Sequence, residues 1–361
     1  MKQISVSTPG RICLFGEHQD YLGLPIIAAG ISRRVEITGK SRHDKFVNVY
    51  MPDINDSESF IIDFPLRYVN KRDYYRSALN VLMRIGYEFE FGYDITIKGD
   101  IPINSGTSSS SALIVTWINF LSQMASFKPK DKLTQEEIAA LAFKAEVTEF
   151  EEPGGMMDQY ATALGNIIYL ETHPQSLVKN FECKIGTFVL GDSQEPKDTI
   201  KILKHVKFGM LEILEKIKSL NPIFDLKSTT MADLDKYKNQ FSLPDFKLLQ
   251  SNVSDRDLLL EAKKMFETGL IDDFQLGKLL NNHQDNLRDS KKISTPKINH
   301  MIDESIKAGA LGAKINGSGG GGCMFAYAPD KPYEVAEAIK KAGGIPYIIN
   351  VGEGTRIDIL I

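Results

Sequence analysis

A chain of 361 residues has room for more than one core, and 42% hydrophobic with 25% charged residues is an ordinary globular balance. A net charge of −4 excludes partners held through bulk positive charge, so neither nucleic acid nor an anionic membrane is expected. No run approaches the ~18 apolar residues that span a bilayer, Met1–Ser5 lacks the apolar core of a signal peptide, and Cys13, Cys183 and Cys323 are spaced for neither disulfides nor zinc, which points to a reducing cytoplasm.

In chain order, the first chemical feature is Pro9-Gly10-Arg11-Ile12-Cys13-Leu14-Phe15-Gly16-Glu17-His18-Gln19-Asp20-Tyr21-Leu22-Gly23. Arg11, Glu17, His18 and Asp20 gather polar groups inside apolar surroundings. Carboxylate and imidazole on a turn suit hydrogen bonds to several hydroxyls, as a sugar presents them. The His-x-x-x-His spacing of a metal site is absent. A polar turn with one capping acid is the plainer alternative. Strand-type alternation follows at Val35–Thr38 and Asp94–Ile97.

Residues 102–113, Pro-Ile-Asn-Ser-Gly-Thr-Ser-Ser-Ser-Ser-Ala-Leu, form the most telling segment. Pro102 and Gly106 mark a loop, and serines stand where a helix begins. Small residues there let a ligand approach backbone N–H groups at a helix N-terminus, which makes a phosphate cradle. It is not a Walker loop, because no Gly-Lys-Ser/Thr follows. The alternative is a serine-rich loop capping an ordinary helix. From about 108 the pattern is helical, and Thr134-Gln135-Glu136-Glu137 reads as a capping box for a helix to about Phe150. Pro153-Gly154-Gly155 breaks it, and Met156–Leu164 is helical again until Gly165.

Glu146 falls near the end of one of these helices and Asp158 lies in the first turn of the next, so the break between them lets both reach one site. A first-turn carboxylate is stabilised as an anion, which fits a group that orients a hydroxyl and accepts its proton. Glu146 suits Mg2+, which takes few protein oxygens. Glu149, Glu151 and Glu152 leave open that Glu146 sits on a solvated acidic face.

A strand at Thr187–Gly191 starts the second half, with amphipathic stretches near 198–219, 256–268 and 297–308. Gly312-Ala313-Lys314-Ile315-Asn316-Gly317-Ser318-Gly319-Gly320-Gly321-Gly322-Cys323 then precedes a strand-like Met324–Tyr327. Such a glycine run either folds tightly against a ligand or loop, or is a flexible connection. Strands early and helices later give an α+β class, divided near residue 185 into domains 1–185 and 186–361.

With these motifs in this order, the chain resembles the GHMP kinase superfamily, and Gly16-Glu17-His18-x-Asp20-Tyr21-x-Gly23 resembles its galactokinases. Gly155-Met156-Met157-Asp158-Gln159 and His283-x-x-x-Leu287-Arg288-Asp289 agree with that form. The resemblance implies a two-domain fold, the first ribosomal-protein-S5-like and the second ferredoxin-like, with the active site between them. It implies ATP and Mg2+, with Gly106, Thr107, Ser108, Ser109 and Ser110 at the nucleotide phosphates, joined by Gly319 and Gly320. Ser110 and Glu146 would hold the metal. Asp158 and Arg11 would act on the acceptor hydroxyl, and Glu17, His18 and Asp20 would contact the sugar. The reaction implied is phosphorylation of a monosaccharide at its anomeric hydroxyl, by a monomer or homodimer.

Galactokinases usually carry an extension before the first motif, which here begins almost at once, and the tyrosine-arginine-cysteine signature that follows their domain boundary is missing. Gly191-Asp192-Ser193-Gln194-Glu195-Pro196-Lys197-Asp198-Thr199 looks more like mevalonate kinases, and Asn104-Ser105-Gly106-Thr107 replaces smaller residues and a leucine. The acceptor that the resemblance implies is galactose first, with a related hexose, a uronic acid or a heptose open beside it. A mevalonate-type alcohol kinase or a non-catalytic sugar sensor are the alternatives.

Overall fold

The computed structural model describes residues 3–103, 105–172, 176–197, 202 and 204–360. Asn104, Asp198, Thr199 and the start of the helix expected over 198–219 lie outside the described residues.

The first sheet is built on β1 (Gln3–Phe15) and β2 (Ile26–Ser41), with β3 (Phe46–Met51), β4 (Asp56–Ile61) and β5 (Tyr93–Gly99) beside them in the order β1-β2-β5-β3-β4. Neighbours run antiparallel except β3 and β5. Four helices cover it: α1 (Tyr74–Arg84), α2 (Ser109–Met124), α3 (Gln135–Glu146) and α4 (Met157–Leu164). α2 and α4 lie on β1 and β2, and α1 and α3 pack against those helices. Trp117 and Phe120 of α2 stack on each other over Ile37 and Ile95 in one core. The capping box forms: Thr134 accepts from the Glu137 N–H, and Glu137 accepts from the Thr134 N–H. The helix ends at Glu146, short of Phe150, and a 3-10 turn over Thr148–Phe150 carries the chain to the Pro153 break.

β6 (Ile167–Glu171) pairs with the early part of β2 and β7 (Leu177–Phe181) pairs with β6. The second sheet follows: β8 (Phe188–Asp192), β9 (Gly312–Ile315), β10 (Cys323–Tyr327) and β11 (Ile345–Ile349), antiparallel in the order β11-β8-β10-β9. The helices Pro296–Lys307 and Pro332–Lys341 bury Met301 and Ile339 on it. The stretch expected near 256–268 is the end of one longer helix, Leu243–Thr268. The last strand, β12 (Arg356–Leu360), returns to pair antiparallel with β1, so the chain ends in the sheet where it began. Leu14 and Phe15 of β1 share a third core with Phe188, Phe325 and Tyr327, fusing the two sheets. The α+β expectation holds. No described helix is long and apolar enough to cross a membrane.

Candidate active site

The first motif begins as strand and ends in the turn that carries its carboxylate and imidazole groups. β1 runs buried through Phe15 because it is paired along both edges and covered on both faces. The register slips between Pro9 and Arg11, a place that tolerates proline's missing N–H. There the Arg11 N–H leaves the ladder and donates to the carbonyl of Thr107 at 3.1 Å. Only residues 16–20 form the turn, with Gly16 and His18 both in the left-handed region (φ 101° and 63°).

The serine segment folds as a cradle. Ser108 precedes α2 at φ 58°, and its side chain makes no capping hydrogen bond. The first-turn N–H groups, which have no partner inside a helix, are therefore not closed off by a cap. Ser108, Ser109 and Ser110 face a cleft of about 820 Å³ shared with Arg11, Asp20, Glu146, Asp158 and Lys197. That volume exceeds what one monosaccharide fills, and suits a nucleotide beside a small acceptor. Gly106 contributes its backbone: its carbonyl accepts from Arg11 Nη1 at 2.5 Å and from Asn316 Nδ2 at 2.9 Å. The glycine run is a packed loop, not a flexible connection, since Gly317 and Gly319–Gly322 all take positive φ and are wholly or partly buried.

Not every expected nucleotide contact faces the cleft. Thr107 is buried behind it, its hydroxyl within hydrogen-bond range of Ser105 and of the carbonyl of Pro102. Gly319 and Gly320 pack against Ile293, and the wall is made instead by Gly317 and Ser318. The reason is space: a Cβ on Gly319 would meet the Cβ of Ile293 at 2.6 Å.

Arg11 and Asp158 meet as the first motif and α4 converge. Arg11 Nε and Nη2 both donate to Asp158 Oδ1, at 2.9 and 2.7 Å. Arg11 is buried while Asp158 stays one-third exposed, and among the described residues Oδ2 has no partner. One oxygen is thus fixed and the other faces the cleft. Glu146 is buried, so it does not belong to a solvated acidic face; of its acidic neighbours Glu151 is exposed, while Glu149 and Glu152 are part-buried in pairs with Arg84 and Arg72. Burial raises the Glu146 carboxyl above its ordinary range, opposed by the 2.6 Å bond from Gln159. A buried carboxylate facing an exposed Ser110 hydroxyl fits a cation held by few protein oxygens together with phosphate and water. Among the described residues no set of three or more acidic, histidine or cysteine side chains offers a self-sufficient metal cage.

The acceptor turn is divided in its roles. Burial holds His18 down to about 3, so its ring is neutral, and Nε2 lies 2.9 Å from the carbonyl of Ser318. A carbonyl only accepts, so Nε2 carries the proton and Nδ1 accepts from the Tyr21 hydroxyl at 2.9 Å. Glu17 is buried and paired with Lys314. Both residues line the cleft, yet the structure gives them protein partners where the sequence points to sugar hydroxyls. Asp20 is different. Its Oδ1 accepts from the Tyr21 N–H at 2.9 Å, and Oδ2 lies so near Gly155 that a Cβ there would sit 1.6 Å away. Burial pushes the Asp20 carboxyl up to about 6, with Asp158 adding to the rise.

Lys197 is the residue that sequence reasoning missed. Its ammonium lies against Gly106 and its stem against Gly322. Burial first, then Arg11, lowers it to about 8. Its signal was the departure at Gly191–Thr199, visible only as a difference from galactokinases.

Comparison with known proteins gives the family. The GHMP kinases N terminal domain model matches residues 73–166, the GHMP kinases C terminal model matches 270–345, and the galactokinase galactose-binding signature matches 2–40. The chain is similar to the mevalonate kinase of Thermococcus gammatolerans, 30% identical over 99% of each chain. It is also similar to the galactokinase of Haemophilus influenzae, 24% identical over 99% of this chain and 95% of that one. Its fold resembles the crystal structure of Lactococcus lactis galactokinase complexed with galactose, with a TM-score of 0.84 at 23% identity, covering 98% of this chain and 95% of that one.

Proposed function

The chain belongs to the GHMP kinase family, and on that premise we propose that it is a sugar kinase, moving the γ-phosphoryl group of ATP to the anomeric hydroxyl of a monosaccharide. The carrying observation is convergence: the uncapped start of α2, the Arg11–Asp158 pair and the Asp20 carboxylate open onto one cleft. The galactose-binding signature over 2–40 supports galactose or a related hexose, with uronic acids and heptoses as neighbours in chemistry. The setting proposed is cytoplasmic.

In this reading the N–H groups of Gly106 and of Ser108 to Ser110 hold the nucleotide phosphates, and Lys197, beside Gly106, supports them. Glu146 and Ser110 would hold Mg2+, which when bound neutralises charge on the phosphates. Asp158 Oδ2 receives the acceptor hydroxyl and its proton while Arg11 keeps the carboxylate in place. Positioning and charge compensation dominate such transfers. Asp20 reads the sugar directly, with His18 and Glu17 shaping the wall beside it. The similarity to mevalonate kinases favours a second reading, a small-alcohol acceptor. An ADP-release screen over hexoses, uronic acids, heptoses and mevalonate tests the choice. Mevalonate giving the highest kcat/KM would end the sugar reading.

Two further results are expected. Ser110→Ala is expected to weaken the Mg2+ and ATP dependence of the rate more than Ser111→Ala, because Ser110 is exposed to the cleft and Ser111 is buried. Equal effects in ATP and Mg2+ titrations would remove this assignment. Asp20 must be ionised to accept hydrogen bonds from two hydroxyls, and its carboxyl titrates at about 6. The acceptor kcat/KM should therefore fall as pH drops, to about one-tenth at one unit below that value. Asp20→Asn should remove the inflection from the pH profile, and an unchanged profile would separate Asp20 from acceptor binding.

A further inference from the structure

Residues 17, 18 and 19 belong to the beginning of the chain, yet their hydrogen bonds lead to its second half. The Glu17 carbonyl accepts from Lys291 Nζ at 3.1 Å, His18 donates to the Ser318 carbonyl, and Gln19 Nε2 donates to the Asn252 carbonyl at 2.9 Å. Beneath the turn lies a set of fully buried charges. Lys314 pairs with the Glu17 carboxylate and also donates to the Cys13 and Ile315 carbonyls, at 3.0 Å each. Lys291 pairs with Asp255 at 2.8 Å, and Asn286 donates to that carboxylate at 2.7 Å. His283, stacked on Phe15, stands between the carboxylates at 3.7 Å from Glu17 and 3.6 Å from Asp255.

Two lysines against two acids, with a neutral histidine between them, leave the set without net charge. Buried pairs of this kind add little stability compared with apolar packing, so their worth lies in fixing geometry. The geometry here needs fixing, because a left-handed His18 persists only where its surroundings over-determine it. We propose that Lys291, Asp255, Lys314 and His283 are positioning residues of the acceptor site: they clamp residues 17–19 to the second half of the chain so that Asp20 is presented to the acceptor. This rests on the reading that the acceptor lies at Asp20, and not on which acceptor it is.

The test removes one pair together, Asp255→Asn with Lys291→Met, so that no lone charge stays buried, and compares it with Lys291→Arg. Wild type is first run on D-galactose and on mevalonate, and each variant is then measured on whichever is used. The double variant is expected to raise the acceptor KM by about tenfold, with KM for ATP and kcat changing far less. Lys291→Arg should recover most of the loss. Histidine-selective nitrogen NMR gives a readout that needs no acceptor: His18 should show the Nε2–H form in wild type, and the double variant should lose that single form. If the double variant does not fold, the NMR comparison is made on Lys291→Arg and on Asp255→Asn alone. A preference for mevalonate would end the sugar reading and leave this proposal standing. An unchanged His18 signal in the folded double variant, or in Asp255→Asn where that variant stands in for it, or equal rises in both KM values, would overturn the clamp.

Discussion

Asp158→Asn is expected to lower kcat by about 100-fold or more, the size typical of a lost positioned proton acceptor, while the Kd for ATP stays nearly unchanged. The geometry says why the loss should be large. Arg11 offers only donors to Asp158 Oδ1, so an asparagine at this position would turn its carbonyl oxygen to the guanidinium. Its NH2 group would then point to the cleft, presenting donors where the acceptor hydroxyl needs an acceptor. Size is kept and polarity is inverted at the reacting atom. Steady-state kinetics with an independent measure of nucleotide binding would check this. Near-normal turnover would mean that Asp158 only anchors Arg11.

Lys197→Met is expected to reduce kcat/KM for ATP by about 100-fold, or ~2.7 kcal/mol of transition-state stabilisation. The half-buried ammonium has no carboxylate within ion-pair distance among the described residues, and it lies between the phosphate loop at Gly106 and the third motif at Gly322. A cation kept from water without a fixed anionic partner is suited to an anion that arrives. Its lowered value of about 8 sets the pH sign. The ammonium is charged at neutral pH and lost as pH rises through that value, so kcat/KM for ATP should fall on the alkaline side. In Lys197→Met that alkaline fall should vanish. A variant with wild-type ATP kinetics would show that the backbone cradle suffices alone.

These two residues also mark how far the chain could be read from its letters. Asp158 was legible because its position is local: a proline-glycine break, then a helix whose first turn favours a carboxylate. Lys197 was not, because a lysine after Glu195-Pro196 looks like any solvated surface residue. Its surroundings include Gly106, Gly322 and Arg11, all remote in sequence. Arg11 was named from its motif, but the sequence could not tell that it stands on β1, a covered strand.

What the sequence determined by itself were the features whose energy is settled within a few residues. The capping box at Thr134, the helix stop at Gly165, the strand β10 after the glycines, and the serine start of α2 all depend on neighbouring backbone groups. What the tertiary structure alone decided were the partnerships made across the chain. β12 closes against β1, Gly319 turns to Ile293, and Lys314, set between Ala313 and Ile315 in an apolar strand, meets Glu17 at a separation of 297 residues. Desolvation and ion pairing sum over every atom that surrounds a group. A linear chain carries no local signal of which distant residues those atoms belong to.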